Sequence, residues 1–196
     1  PDLDAGVLSL YGHIMAAAQS WTSALNYYFR VLTLDPNNIV VNLCIATAYL
    51  QMGMKRQSEN RHWQIYQGIA FLQRYVELRR ESGSKIHQQE AIYNVGRSWH
   101  LLGIMHLAVP EYEKALAMAE EVRAEAKEKA KETVRLREGG KVRREESDDD
   151  EDEEEEEEEV DAEEFTQEAA FALMQILAMN NNEKAARKVA EKWLVM

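Results

Sequence analysis

Five histidines (His13, His62, His87, His100 and His106) and one cysteine, Cys44, are the side chains of this 196-residue chain best suited to metal or nucleophile chemistry. Their spacing supports neither. No two histidines stand at a paired metal-ligand separation, and a lone cysteine builds neither a thiolate site nor an intrachain disulfide. No Gly-Lys-Ser/Thr phosphate loop and no nucleophile elbow occurs. The expectation is a non-enzyme with no catalytic residue, no metal, no cofactor and no small-molecule substrate. What remains is the chemistry of recognition. Arg97 with Asn94 can grip a carboxylate or a peptide backbone, because a guanidinium fork matches a planar acceptor; the competing reading pairs Arg97 with Glu90 inside the fold.

Charge narrows the partners. Asp148 to Glu159 is an unbroken run of twelve acids, as many as the whole formal charge of −12, so the remainder is balanced. The run reads as a solvated spacer, as a loose dock for a basic segment or as a DNA mimic. The balanced remainder has no basic stripe long enough to track a phosphate backbone, so any contact with DNA is expected to be indirect. No stretch of about 18 apolar residues exists, and no membrane is expected. A single cysteine suits a reducing compartment. The absence of an initial methionine suggests a fragment of a longer chain.

The elements that would position these residues are helical. Three prolines and nine glycines stand among long runs of Ala, Leu, Glu, Lys, Gln and Met, which lose little rotamer freedom in a helix. Helices are expected over Ala5 to Ala18 and from Trp21 or Thr22 to Leu34, where Asp35-Pro36 stops the second. Their stripes are Leu8, Tyr11, Gly12 and Met15, then Ala24, Tyr28 and Val31. Asn42, Ile45, Ala46 and Tyr49 follow the first stripe by 34 residues, whereas Gly68, Leu72 and Tyr75 follow the second by 44. About ten residues are therefore added inside this repeat.

A third hairpin restates the pattern with Ile92, Val95, Gly96 and Trp99, a turn at Gly103, then Ala108, Tyr112 and Ala115. Pro110 belongs in a first turn, so that helix should begin no earlier than about His106. A fourth hairpin uses Ala169, Ala172, Leu173 and Ile176, a turn at Asn180 to Asn182, then Ala185 and Val189, with the apolar end from Trp193 packing on the preceding hairpin. The expected organisation is three hairpins over 1–119 with an insertion at about 53–66, a charged helical extension over 120–138, a disordered acidic insertion over 139–162 and a last hairpin over 163–196.

Small, aromatic and small residues recurring over two helices and closed by proline at a period near 34 resemble the tetratricopeptide repeat. The expected fold is all-α, with hairpins stacked as a short right-handed solenoid, because one hairpin cannot bury its own apolar face. Glycine or alanine lets helices approach, and the rings of Tyr11, Tyr28 and Tyr112 are expected to fill the gaps between hairpins. First helices then line a groove. By phase its candidates are His13, Thr47, Glu90, Tyr93, Asn94, Arg97 and His100. Thr47 and Leu43 stand where a carboxylate clamp would need basic or amide donors, which argues against that subclass. Outside the groove, Trp63 in "KRQSENRHW" is either a partner anchor or the start of a long helix packed on the core. Phe171 and Met174, with Leu177, form an apolar surface for a partner or lie under Trp193 and Leu194.

The pattern YNxGRxxHxLGxxHLAxxxYxKAL from Tyr93 to Leu116, with "IYQGIAFLQRYVELR" before it and "EAAFALMQIL" after, resembles the carboxy-terminal repeats of the tetratricopeptide subunit of transcription factor IIIC. The resemblance runs over about Ile39 to Ala119 and again from about Glu168. It implies a nuclear, non-catalytic assembly subunit that holds sister transcription factor IIIC subunits for RNA polymerase III promoters, with initiation factor IIIB as a further partner. A competing reading makes the acidic run the working part, binding histones or other basic proteins with the repeats as a handle.

Overall fold

The computed structural model describes residues 4–55, 58–139 and 165–194. The acidic insertion expected at 139–162, apart from Gly139, lies outside the described residues. The described residues form α1 (Ala5–Ala17), α2 (Trp21–Leu34), α3 (Ile39–Met54), α4 (Arg61–Glu81), α5 (Lys85–Leu101), α6 (Met105–Gly139), α7 (165–179) and α8 (Glu183–Trp193). No strand occurs among them. The all-α hairpin architecture of the tetratricopeptide type follows from that order. By compactness the chain divides into one unit of residues 1–83 with 98–104 and a second of 84–97 with 105–196.

In the first unit α1 pairs with α2, α3 pairs with α4, and α2 packs on α3. Its core gathers Leu8, Ala24, Leu25, Tyr28, Val31, Val41, Ile45 and Tyr49. The approach of α1 to α2 depends on a missing side chain, because a Cβ on Gly12 would lie 2.4 Å from Cε1 of Tyr28. The second unit repeats the device, with a Cβ on Gly96 falling 3.0 Å from Cδ1 of Tyr112. Tyr28 and Tyr112 are each 1% exposed, and each ring fills the gap between the two helices of its own hairpin, against Gly12 and Gly96, where the sequence had placed the rings between hairpins. Tyr11 does not pack in this way: it is 44% exposed and stacks on Tyr27 of its own hairpin, with ring centroids 5.5 Å apart.

Three of the first helices end alike. Gln19, Gly103 and Asn181 take positive φ (57°, 75° and 59°), and the residue after each donates its N–H back to the carbonyl of Met15, Trp99 and Leu177 at 2.9 Å. This is the Schellman arrangement, which satisfies carbonyls that the helix leaves without partners and turns the chain toward its second helix. At the other end of the hairpin, the Asn38 side chain caps α3 by accepting from the Val41 N–H at 3.0 Å.

Two local expectations require correction. Pro110 stands in the second turn of α6, which begins at Met105, one residue before the expected start. The carbonyl that loses its partner is that of His106, an exposed residue near the helix end, where water can take the place of the absent N–H. In α8 the buried residues are Ala186 and Trp193, while Ala185 and Val189 are half-buried; the Asn182 side chain caps the helix by accepting from the Ala185 N–H at 3.3 Å.

Candidate protein-docking surfaces

In the first unit His13 stands exposed on α1, its Nδ1 3.0 Å from the Tyr28 hydroxyl and 4.0 Å from the Cys44 Sγ. The rings of His13 and Tyr28 meet edge to face at 5.6 Å. Burial, then the neighbouring Cys44, holds the Tyr28 phenol well above its ordinary range, and burial likewise raises the Cys44 thiol. Tyr28 and Cys44 therefore stay neutral, and together they form a polar support beneath the exposed His13. Thr47 is exposed on α3, and its hydroxyl donates to the Leu43 carbonyl of its own helix at 3.0 Å. His100, half-buried, lies in the last turn of α5.

Trp63 sits in the first turn of α4, 54% exposed, and meets the Tyr49 ring edge-on at 5.7 Å. It stands in the first turn of the long helix and meets the core at Tyr49, with about half of its surface left outside. Phe29, 37% exposed, continues the aromatic surface through contacts of 6.3 Å to Tyr49 and 5.7 Å to Phe71.

In the second unit the other four candidates of α5 divide by exposure. Arg97 is exposed, and Glu90 and Asn94 are half-buried. Tyr93 is 6% exposed, and its hydroxyl donates to Glu168 of α7. The ring also lies 6.2 Å from Tyr112 and 5.9 Å from Phe165. One turn earlier, the buried Gln89 amide donates to the Thr166 hydroxyl at 2.8 Å. Tyr93 thus joins the third hairpin to the fourth. The local period placed it on an open face because the helix that covers it lies more than seventy residues further along the chain.

Burial and the hydrogen bond to Glu168 raise the Tyr93 phenol, and burial raises Tyr112 to about 12, against the opposing pull of the nearby Arg97 charge. Phe171 is 50% exposed on α7, with Met174 and Leu177 half-buried beside it. Trp193 is turned toward α6: it is 9% exposed, lies 4.9 Å from the Arg123 guanidinium, and neighbours Lys192, which is paired with Glu120.

Among the described residues no group of His, Cys, Asp and Glu side chains gathers where it would hold a metal ion, and no helix is long and apolar enough to cross a membrane. The arrangement can present single polar and aromatic side chains from rigid helices to another chain.

No family model matches the sequence. Among curated proteins, Transcription factor tau subunit sfc4 of Schizosaccharomyces pombe is 35% identical over 192 residues, covering 98% of this chain and 16% of that protein. Transcription factor tau 131 kDa subunit of Saccharomyces cerevisiae is 32% identical over 107 residues, 55% of this chain and 10% of that protein. General transcription factor 3C polypeptide 3 of Homo sapiens is 35% identical over 109 residues, 56% of this chain and 12% of that protein. The chain spans about a sixth or less of the length of these relatives. It is thus a homologue of a segment of these transcription factor tau and general transcription factor 3C subunits, in agreement with the transcription factor IIIC resemblance carried by Tyr93 to Leu116.

Proposed function

We propose that this chain is a non-catalytic scaffold of transcription factor IIIC that binds sister subunits through side chains displayed on its helices and acts in the nucleus. The observation that supports the reading most is the identity of 35% along 98% of the chain to a transcription factor tau subunit. Helical hairpins suit the role, since stacking leaves part of each first helix uncovered. The contact residues proposed are His13, Thr47 and His100 in the first unit and Glu90, Asn94 and Arg97 in the second, with Trp63, Phe171 and Met174 as apolar anchors. Tyr93 contributes by fixing α5 against α7. Contact with initiation factor IIIB, and with DNA through the assembled complex, belongs to the same proposal.

The test is capture of transcription factor IIIC subunits from nuclear extract on the immobilised chain, beside a His13→Ala/Arg97→Glu variant and a deletion of Asp148 to Glu159. Retention by parent and deletion with loss in the point variant is expected. Loss with the deletion alone would overturn the scaffold reading in favour of the acidic run.

A further inference from the structure

The ten-residue addition between α3 and α4 builds a surface that the repeat alone would not have. Trp21, at the start of α2, has its counterpart 44 residues later at Ile65, yet α4 begins at Arg61. The added turn carries Trp63, whose indole is 54% exposed. Met52 lies one turn beyond Tyr49 on α3, Gln64 follows Trp63 on α4, and Trp21 lies two turns before Phe29 on α2; Met52, Gln64 and Trp21 line a space next in sequence to the exposed rings. That space is a cavity of about 660 Å³ lined by Trp21, Thr22, Met52, Lys55, Ser58 and Gln64. Its lining joins aromatic and thioether groups to hydroxyl, amide and ammonium groups.

Charge selects the occupant. Lys55 is exposed in the cavity wall, and Arg61 is exposed at the start of α4. Neither α2 nor α4 has an acidic residue in its first turn or a side-chain cap, so the positive ends of both dipoles add to these two cations. Glu59 is the one acid among the described residues of the α3–α4 loop. We propose that this groove docks a linear acidic segment of a partner protein, with one bulky apolar side chain against Trp63 and Met52 and carboxylates toward Lys55 and Arg61. It deepens the scaffold reading by naming the chemistry of one partner segment, and it rests on that reading for the partner being a protein.

The experiment is fluorescence anisotropy on the whole chain with a labelled peptide of about twelve residues, rich in Asp and Glu around a central Leu-Phe pair. A second peptide replaces Leu-Phe by Ser-Ser. The parent should bind the first peptide in a salt-sensitive manner and the second at least about tenfold more weakly. Trp63→Ala and Lys55→Glu should each weaken the first peptide about tenfold, with Trp63→Phe recovering most of the loss. Lys55 is exposed, so Lys55→Glu should leave the thermal midpoint in place, whereas Trp63→Ala also loses the ring contact with Tyr49 and is read against Trp63→Phe. Equal binding of both peptides, equal binding by parent and variants, absence of binding to the parent, or displacement by inorganic phosphate at matched ionic strength would overturn the proposal. Peptide binding is read on Lys55→Glu and sister-subunit capture on the His13→Ala/Arg97→Glu variant, so failure of this groove and failure of the scaffold reading are distinguished.

Discussion

Gly12→Ala puts the close approach of α1 to α2 to a direct test. A methyl group there would sit 2.4, 2.7 and 3.0 Å from Cε1, Cδ1 and Cζ of Tyr28. The ring is 1% exposed, and its hydroxyl is held 3.0 Å from His13 Nδ1, so it cannot swing aside without breaking that bond. Replacing glycine by alanine inside a helix should by itself stabilise by about 1 kcal/mol. Against this stand a strain of about 1–3 kcal/mol for overpacking and about 1 kcal/mol for the lost hydrogen bond. The net expectation is destabilisation by roughly 1–3 kcal/mol, read from urea unfolding followed by far-ultraviolet circular dichroism. Gly6→Ala supplies the contrast, because its new methyl meets only the exposed Asp4 carboxylate, at 3.2 Å, and should be neutral or stabilising. In Gly12→Ala/Tyr28→Leu the two costs should sum to less than their parts by about 1 kcal/mol. A Gly12→Ala chain more stable than the parent would refute the argument that the missing side chain sets the helix spacing.

Trp193→Ala should cost about 3 kcal/mol and speed amide exchange in α8, because the indole is 9% exposed beside Arg123; unchanged exchange would count against its role as the clasp of the last helix. Tyr93→Phe should remove the bond to Glu168 at a cost of about 1–2 kcal/mol, measured by urea unfolding, without loss of partner capture. Gln19→Gly should stabilise by roughly 0.5–1 kcal/mol, visible as a higher denaturation midpoint, since Gln19 holds a φ of 57° that glycine adopts without strain. Alkaline pH provides a further test. The phenols of Tyr28, Tyr93 and Tyr112 are raised by burial, so the unfolded chain ionises first. Their stabilisation is complete below about pH 10 and is lost as pH rises toward the folded values, by about 1 kcal/mol per ring near pH 11 after screening. A urea midpoint that stays flat between about pH 9 and 11 would refute it.

The sequence was most informative where chemistry repeats at short range. The spacing of Gly12 and Tyr28, and of Gly96 and Tyr112, already contained the contact between the two helices of a hairpin, because periodicity fixes which side chains share a face. It misled where a distant segment decides the environment. Tyr93 has the phase of a groove residue, but Glu168 and Phe165 reach it across the whole charged part of the chain, and local spacing carries no record of that return. Tyr11 is the converse: its ring type fits a packed position, yet it lies against Tyr27 within its own hairpin. Trp63 was visible as an anomaly of the period, since ten residues added to a repeat must form either a longer loop or a longer helix. Local spacing carried no sign that the ring would meet Tyr49 at close to a right angle and still stay 54% exposed.

The 35 residues of α6 make it the longest helix among those described, about 52 Å from end to end. Its side chains Glu120 and Arg123 meet α8, and residues 124–139 then run on for roughly 24 Å. Such a rod behaves as an indexed spindle. Adding or removing one residue in that stretch turns the point where the chain leaves Gly139 by about 100°, whereas seven residues return it to within about 20° of the original bearing. The number of residues in that stretch therefore sets the bearing of the helix end.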